Sequence, residues 1–198
     1  MDLLLFASHC DCDTLIEKNF LHEERMTAEA ILVHLGLGSN LGDRKEFLNM
    51  ACNQLRSEAV REFRASSIYE SEPLLKMPQP KYLNMVICGL TVLSPKELLK
   101  KCQQIETSSG RIRRERWGSR EIDIDILSYG SRIIDNDDLL VPHPEIENRS
   151  FVLMPMLELS PEWLHPETGI TINELWENWL QKYEGQVPLP VNRGDKSS

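Results

Sequence analysis

An α+β sandwich built on an antiparallel sheet is the fold class this sequence predicts, and three observations predict it. Apolar residues alternate with a period of two in some segments, as along Ile122, Ile124 and Ile126. In others they recur at helical spacing, as with Phe47, Leu48, Ala51 and Leu55. The two kinds follow one another as strand, helix, strand, strand, helix, strand, the βαββαβ order of a ferredoxin-like sandwich. Such a sheet carries helices over one face and leaves the other free to bear a site.

Taken in order, Ile31, Leu32, Val33, Leu35 and Leu37 read as a buried strand running into Gly36, Gly38, Ser39, Asn40 and Gly42. These residues predict a tight strand-to-helix turn with Ser39 or Asn40 near the helix start. Without a terminal Lys-Ser/Thr they are not a phosphate-binding loop. A helix follows from Arg44 to Ser57, and then strands from Val60 to Tyr69 and from Tyr82 to Thr91. The loop between those strands carries Pro73, Pro78 and Pro80 and is too long for a hairpin turn, which suits a binding element. Ser94 caps the second helix, with Pro95 at its first position and Glu97 at its third; Leu98, Leu99, Cys102 and Ile105 form its inner stripe and Gly110 ends it.

The sixth element is the strand of Asp123 and Asp125. Beyond it, Val141 to Arg149 is polar and braced by prolines, and the stretches Phe151 to Leu159 and Ile172 to Leu180 read as helices, so extra C-terminal elements complete the fold. A single domain over 29–187 results. Residues 1–28 read as a poorly ordered extension outside it and residues 188–198 as a loose tail.

Composition narrows the class. The 198 residues, 41% hydrophobic and 27% charged, suit one ordinary domain with a full core. A pI near 5.1 argues against general nucleic-acid binding, because a phosphate-backbone reader presents broad basic surface. There is no apolar stretch long enough to span a bilayer. Five scattered cysteines, Cys10, Cys12, Cys52, Cys88 and Cys102, fit a reducing cytoplasm better than a disulfide framework. Cys10 and Cys12 with His9 and Asp11 lack the second pair a metal clip needs. Leu3 to Ala7 is too short for a signal-peptide core and follows Asp2 where a basic region would stand.

The chemistry concentrates in Arg116 to Ile126, RWGSREIDIDI. In a strand the three isoleucines share the core face while Asp123 and Asp125 project together from the other. Side-by-side carboxylates repel, which solvent, arginine or a divalent cation must offset, and hard oxygen ligands suit magnesium. An amphipathic strand with a solvated acidic face would show the same alternation. The run Arg111 to Arg120 tips the balance, because it sets five arginines against one glutamate in a chain of net charge −9. Arginines beside paired aspartates can grip a polyphosphate while the carboxylates hold its cation, so phosphoryl chemistry leads.

The stretches LGLGSNLGDR (Leu35 to Arg44), YLN (Tyr82 to Asn84), RWGSREIDIDIL (Arg116 to Leu127) and VPHPEIENRSFVL (Val141 to Leu153) resemble, in order, those of the 6-hydroxymethyl-7,8-dihydropterin pyrophosphokinase (HPPK) family. The resemblance covers roughly Ile31 to Glu174. It implies the ferredoxin-like fold and transfer of pyrophosphate from ATP to the pterin hydroxymethyl, giving AMP and the pterin diphosphate in folate biosynthesis. It implies two magnesium ions on Asp123 and Asp125, with Arg111 and Arg120 stabilising transition-state charge. Gln103, Glu106, Arg113, Trp117, Ile126, His143 and Arg149 match positions that contact ATP. Ser71, Pro73, Leu74, Tyr82, Asn84, Trp117 and Phe151 match the pterin site, where aromatic faces stack on a flat ring and an amide reads its edge. Core packing is the plain alternative for Phe151, a surface anchor for Trp117, and a solvated helix face for Gln103 and Glu106.

Ser119 stands where the family commonly has proline, Glu121 where it has threonine, and Lys81 where an acid is usual, while Leu75 and Lys76 replace a glycine turn. A more mobile, more acidic loop before the aspartate strand is therefore expected. The partners expected are ATP and the pterin, with no nucleic acid or membrane, for a cytoplasmic monomer. A palm-like nucleotidyltransferase and a noncatalytic ferredoxin-like binding module are the competing classes; the first would release pyrophosphate and the second would turn nothing over.

Overall fold

Nine residues, Ile31–Ser39, form strand β1, whose inward side chains Val33, Leu35 and Leu37 are almost wholly buried. The computed structural model describes residues 29–73, 79–109, 119–183 and 187–191. The chain divides into the units Met1–Ala30 and Ile31–Ser198, and every element below belongs to the second. Helix α1 is Arg44–Glu58, and its N-cap is Asp43, whose side chain accepts from the Glu46 amide, so neither Ser39 nor Asn40 starts the helix. Strands β2 (Arg61–Ala65), β3 (Tyr69–Ser71) and β4 (Tyr82–Thr91) lead to α2 (Pro95–Ser108), which opens with the expected Ser94/Glu97 capping box. Strand β5 is Asp123–Tyr129, followed by the short pair β6 (Ile134–Asp135) and β7 (Leu140–Val141). Helices α3 (Ser150–Leu159) and α4 (Ile172–Lys182) and strand β8 (Leu189–Pro190) complete the order.

The antiparallel sheet runs β5–β1–β4–β3–β8, with β2 also paired to β4. This is the ferredoxin-like arrangement expected, with two refinements. The segment expected as one strand from Val60 divides into β2 and β3 at Ser66–Ile68, where the Ser67 amide donates to the Glu158 carboxylate; within β2 itself the register shifts between Arg61 and Arg64 and Glu62 takes a positive φ of 48°. Gly89 of β4 makes room for that irregularity, since a Cβ there would stand 2.4 Å from the Arg61 carbonyl. At the other end, the tail expected to be loose contributes β8: Leu189 and Pro190 pair with β3 and Val191 N–H donates to Ile68 O at 2.8 Å.

Alternation sorts the side chains into two layers. Leu83, Met85 and Ile87 of β4 join Ile124 and Ile126 of β5 and the inner residues of β1 against α1 and α2. The opposite face is not wholly free. Val86, Cys88 and Leu127 form a second core with Leu153 and Met156 of α3 and Trp176 and Trp179 of α4. The apolar outward residues need that cover, so the two helices take one half of the face and a site is confined to the other.

His34 lies under the covered half, 1% exposed, between the hydroxyls of Ser128 (2.7 Å) and Ser160 (2.9 Å). Burial, helped by the nearby Arg64 charge, holds its pKa down at about 4. Between that value and about 6.5 the unfolded chain binds more protons than the folded one at this position. His34 therefore contributes stability that is complete above about pH 6.5 and is lost as pH falls toward 4, up to about 3 kcal/mol. In thermal melts over this window, His34→Gln should show a shallower fall of Tm with acidification than the wild type; parallel curves would refute the assignment.

Candidate active site

On the uncovered half of the sheet, β1 presents Gly36 and Gly38. Gly36 pairs with Asp125 and Gly38 with Asp123 of β5, while on the other side Gly38 pairs with Asn84 and Gly36 with Val86 of β4. A carboxylate, a bare glycine and an amide thus lie in one row across three strands. A Cβ at Gly38 would meet Asn84 Oδ1 at 3.2 Å, so the central strand must lack a side chain for the amide to lie where it does. Above this floor is a cavity of about 420 Å³, walled by Ser71, Pro73, Tyr82, Asn84, Arg120, Asp123, Asp125, Arg149 and Phe151 among others. Its size and mixed aromatic and charged walls suit a small-molecule site.

The charged wall is internally paired. Arg120 Nη1 donates to Asp123 Oδ2, and Arg149 Nη1 lies 3.4 Å from Asp125 Oδ2. His143 Nε2 lies 3.9 Å from the same Asp125 oxygen and 3.4 Å from Arg149. Its other nitrogen accepts from the Glu145 amide at 3.1 Å. Burial and the Arg149 guanidinium hold the His143 pKa down at about 4, so at neutral pH this imidazole is uncharged, with its Nε2 facing Asp125 from beyond hydrogen-bond distance. Arg149 also lies 5.9 Å from the Phe151 ring centroid, and its Nε is buried without a hydrogen-bond partner among the described residues.

The opposite wall is built on β3 and β4. Asn84 Nδ2 donates to Ser71 Oγ at 2.8 Å, which fixes the amide's orientation. Glu158 of α3 holds the β2–β3 link through the Ser67 amide and the Tyr69 hydroxyl. Arg44 pairs with Glu70 at 3.1 Å and donates to the Lys81 carbonyl at 2.8 Å. Lys81, where an acid was expected, pairs instead with Glu72 at 2.7 Å, joining the two ends of the proline loop.

Of the residues singled out from sequence, Ser71, Pro73, Tyr82, Asn84, Arg120, Asp123, Asp125, Arg149 and Phe151 line one cavity, and His143 touches its charged wall. Leu74, Arg111, Arg113 and Trp117 lie outside the described residues. Three others are not on the cavity wall. Gln103 is exposed on α2. Ile126 is 4% exposed, its side chain packed within the core as the strand period dictates. Glu106 is buried beneath β5 and its Oε1 accepts from the Ile124 amide at 2.8 Å. Among the described residues β5 is an edge strand whose outward amides have no neighbouring strand, and Glu106 supplies an acceptor there. Glu121, expected to add charge to an open loop, is buried with 8% exposure.

Gly36, Gly38 and Asn40 are the site features that local sequence reasoning assigned to a turn. The clue was present: glycines two apart, inside an apolar alternation, mark a strand whose outer face is deliberately bare. Gly42, at φ 68°, is the true turn residue.

Comparison with known proteins agrees with this geometry. The family model described as 7,8-dihydro-6-hydroxymethylpterin-pyrophosphokinase (HPPK) matches residues 34–161. The chain belongs to that family. It is 43% identical over 153 residues to the 2-amino-4-hydroxy-6-hydroxymethyldihydropteridine pyrophosphokinase of Bacillus subtilis, covering 76% of this chain and 92% of that one. The enzyme of the same name from Haemophilus influenzae is 40% identical over 146 residues, covering 73% and 91%. The folic acid synthesis protein fol1 of Pneumocystis carinii is 39% identical over 165 residues, but the chain, matched over 83% of its own length, spans only 22% of that protein. A solved Plasmodium falciparum HPPK-DHPS with pteroate superposes with a TM-score of 0.64 at 15% identity, over 79% of this chain and 44% of that one, a likeness of fold.

The Glu106 bond gives a stability prediction. Glu106→Leu should cost about 2 kcal/mol in denaturant unfolding by leaving the Ile124 amide without its acceptor, whereas Glu106→Gln, which keeps an acceptor, should cost less than about 1 kcal/mol. A leucine variant as stable as wild type would show that the bond carries nothing.

Proposed function

We propose that this cavity transfers pyrophosphate from ATP to 6-hydroxymethyl-7,8-dihydropterin, yielding AMP and the pterin diphosphate for folate synthesis. The supporting observation is the row Asp123–Gly38–Asn84, in a chain of the pyrophosphokinase family: two adjacent carboxylates for a phosphate-bound cation face an amide and two aromatic rings across an open floor. The oxygen of the hydroxymethyl group forms a bond to the β-phosphorus as its O–H bond breaks and the proton passes to solvent, the bond from that phosphorus to the α–β bridging oxygen breaks, and AMP leaves with the electron pair.

Asp123 and Asp125 fit magnesium. They offer hard oxygen donors from one strand face, and among the described residues no third carboxylate, histidine or cysteine joins them in a ligand cluster, which suits an ion that completes its shell with phosphates and water. Two ions are the number proposed; bound there, they neutralise the triphosphate and polarise its oxygens. Arg120 and Arg149 hold these carboxylates through ion pairs and can turn to phosphate oxygens when nucleotide arrives. Arg111 and Arg113 are proposed to join them, with Trp117 at the junction of the two substrates and Gln103 at the nucleotide's outer rim.

Asn84, anchored by Ser71, presents its carbonyl oxygen over Gly38 toward the pterin edge. Tyr82 and Phe151 supply the flat faces and Pro73 an adjoining part of the wall, and Leu74 is proposed to join the pterin contacts. His143, neutral at working pH, steadies Asp125. The chain is read as a monomer acting on small molecules in the cytoplasm, without nucleic acid; among the described residues no helix is long and apolar enough to cross a membrane.

With ATP, magnesium and the hydroxymethyl pterin supplied, AMP should appear in step with pterin diphosphate. Release of pyrophosphate would favour nucleotidyl transfer, and turnover of nothing a binding module. Asp123→Asn should lower kcat/KM by about a thousandfold, several kcal/mol of transition-state stabilisation; retained activity would remove the carboxylate pair from the chemistry. Gly38→Val, by displacing Asn84, should raise KM for the pterin by about tenfold or more while binding of an unreactive ATP analogue changes little.

A further inference from the structure

Asn40 follows β1 and is 1% exposed, yet it belongs to neither cap nor core. Its Oδ1 accepts from the Arg120 amide at 2.8 Å and its main-chain N–H donates to the Arg120 carbonyl at 3.2 Å. This bracket fixes the peptides on both sides of Arg120, and so the direction in which that guanidinium leaves the chain toward Asp123. The Asn40 Nδ2 faces a second segment: Pro80 O at 3.4 Å and Gln79 Oε1 at 3.5 Å, together with Ser119 Oγ at 3.3 Å. Gln79 lines the cavity on the Tyr82 side and Arg120 on the aspartate side. One buried amide therefore touches both walls.

We propose that Asn40 is a positioning residue of this site, whose amide ties the Arg120 peptide to the Gln79–Pro80 segment so that the charged wall and the aromatic wall keep one relative placement. The inference rests on the function proposed above. The residue type follows from the partners. Oδ1 must accept, Nδ2 must donate, and both must branch from one carbon near the main chain. Aspartate has no donor for Pro80 O, leucine has the shape without either function, and glutamine is one methylene too long. Arg44 does not duplicate the tie, because it reaches Glu70 and the Lys81 carbonyl on the aromatic side alone. A reaction governed by positioning is sensitive to small displacements of one wall against the other.

The experiment uses the full chain with ATP, magnesium and the pterin, comparing wild type, Asn40→Ala, and the double variant Gln79→Ala/Ser119→Ala. Asn40→Ala should lower kcat about thirtyfold or more, while its affinity for an unreactive ATP analogue with magnesium stays within about threefold of wild type. Amide hydrogen exchange, read by NMR without substrate, should speed up at least tenfold at Arg120 and stay unchanged at Ile124, whose partner is Glu106. The double variant, which keeps the Arg120 bracket but removes two partners of Nδ2, should raise KM for the pterin several-fold with a smaller loss in kcat, and it keeps the proposal testable if Asn40→Ala does not fold. Unchanged Arg120 exchange, or kcat, nucleotide affinity and Tm all declining together, would reduce Asn40 to a structural plug and overturn the proposal, as would a double variant kinetically equal to wild type. If wild type formed no AMP, the functional reading would fail, while the exchange at Arg120 would still decide whether the tie exists.

Discussion

Between Leu35 and Ser39 the central strand sets a buried leucine against a glycine at each step, and the rest of the site depends on this half-bare strand. Leu35 and Leu37 anchor β1 in the core beneath, while Gly36 and Gly38 leave nothing above the sheet. Because Asp125 and Asp123 are their neighbours on one side and Val86 and Asn84 on the other, two acidic groups and an amide face each other across space that any side chain would fill. Glycine in a strand interior costs stability through chain entropy and lost packing. Here the dense core on the leucine side offsets that cost.

Charge on the site follows the same economy of neighbours. Two carboxylates two residues apart on one strand face would repel if left alone. Each has its own arginine, Arg120 for Asp123 and Arg149 for Asp125, with neutral His143 beside the second. The arginines come from different parts of the chain, one just before β5 and one at the start of α3. The pairs keep an acidic protein's most acidic strand stable before any cation or phosphate is bound. They also leave guanidinium groups at the cavity wall, where a polyphosphate would replace the carboxylate as partner.

The support around the cavity is less visible but as specific. Glu106 occupies an edge amide of β5, Glu158 steadies the entry to β3, and β8 adds a short strand beyond it. Helices α3 and α4 close off half of the sheet face, so that the open half is bounded. Much of this was illegible beforehand for one reason: the partners lie 18 to 91 residues apart or further, and a glutamate facing solvent and one capping an edge amide are the same letter in a helix. Leu189 and Pro190 likewise carry no strand period, and only the free edge of β3 makes them a strand.

Local physical chemistry determined what was periodic or punctuated. The strand of Asp123 and Asp125, the helix opened by Ser94, the βαββαβ order and the acid pair flanked by arginines are all properties of short stretches, fixed by side-chain alternation and capping, and they were readable from sequence. Tertiary structure decided which residues meet across strands. It placed the two glycines opposite the aspartates and turned Ile126 and Glu106 away from the cavity. It also put Asn40 between two walls whose segments lie 40 and 80 residues further along the chain. Register and burial are set by the whole sheet at once, and no segment of the sequence contains them alone.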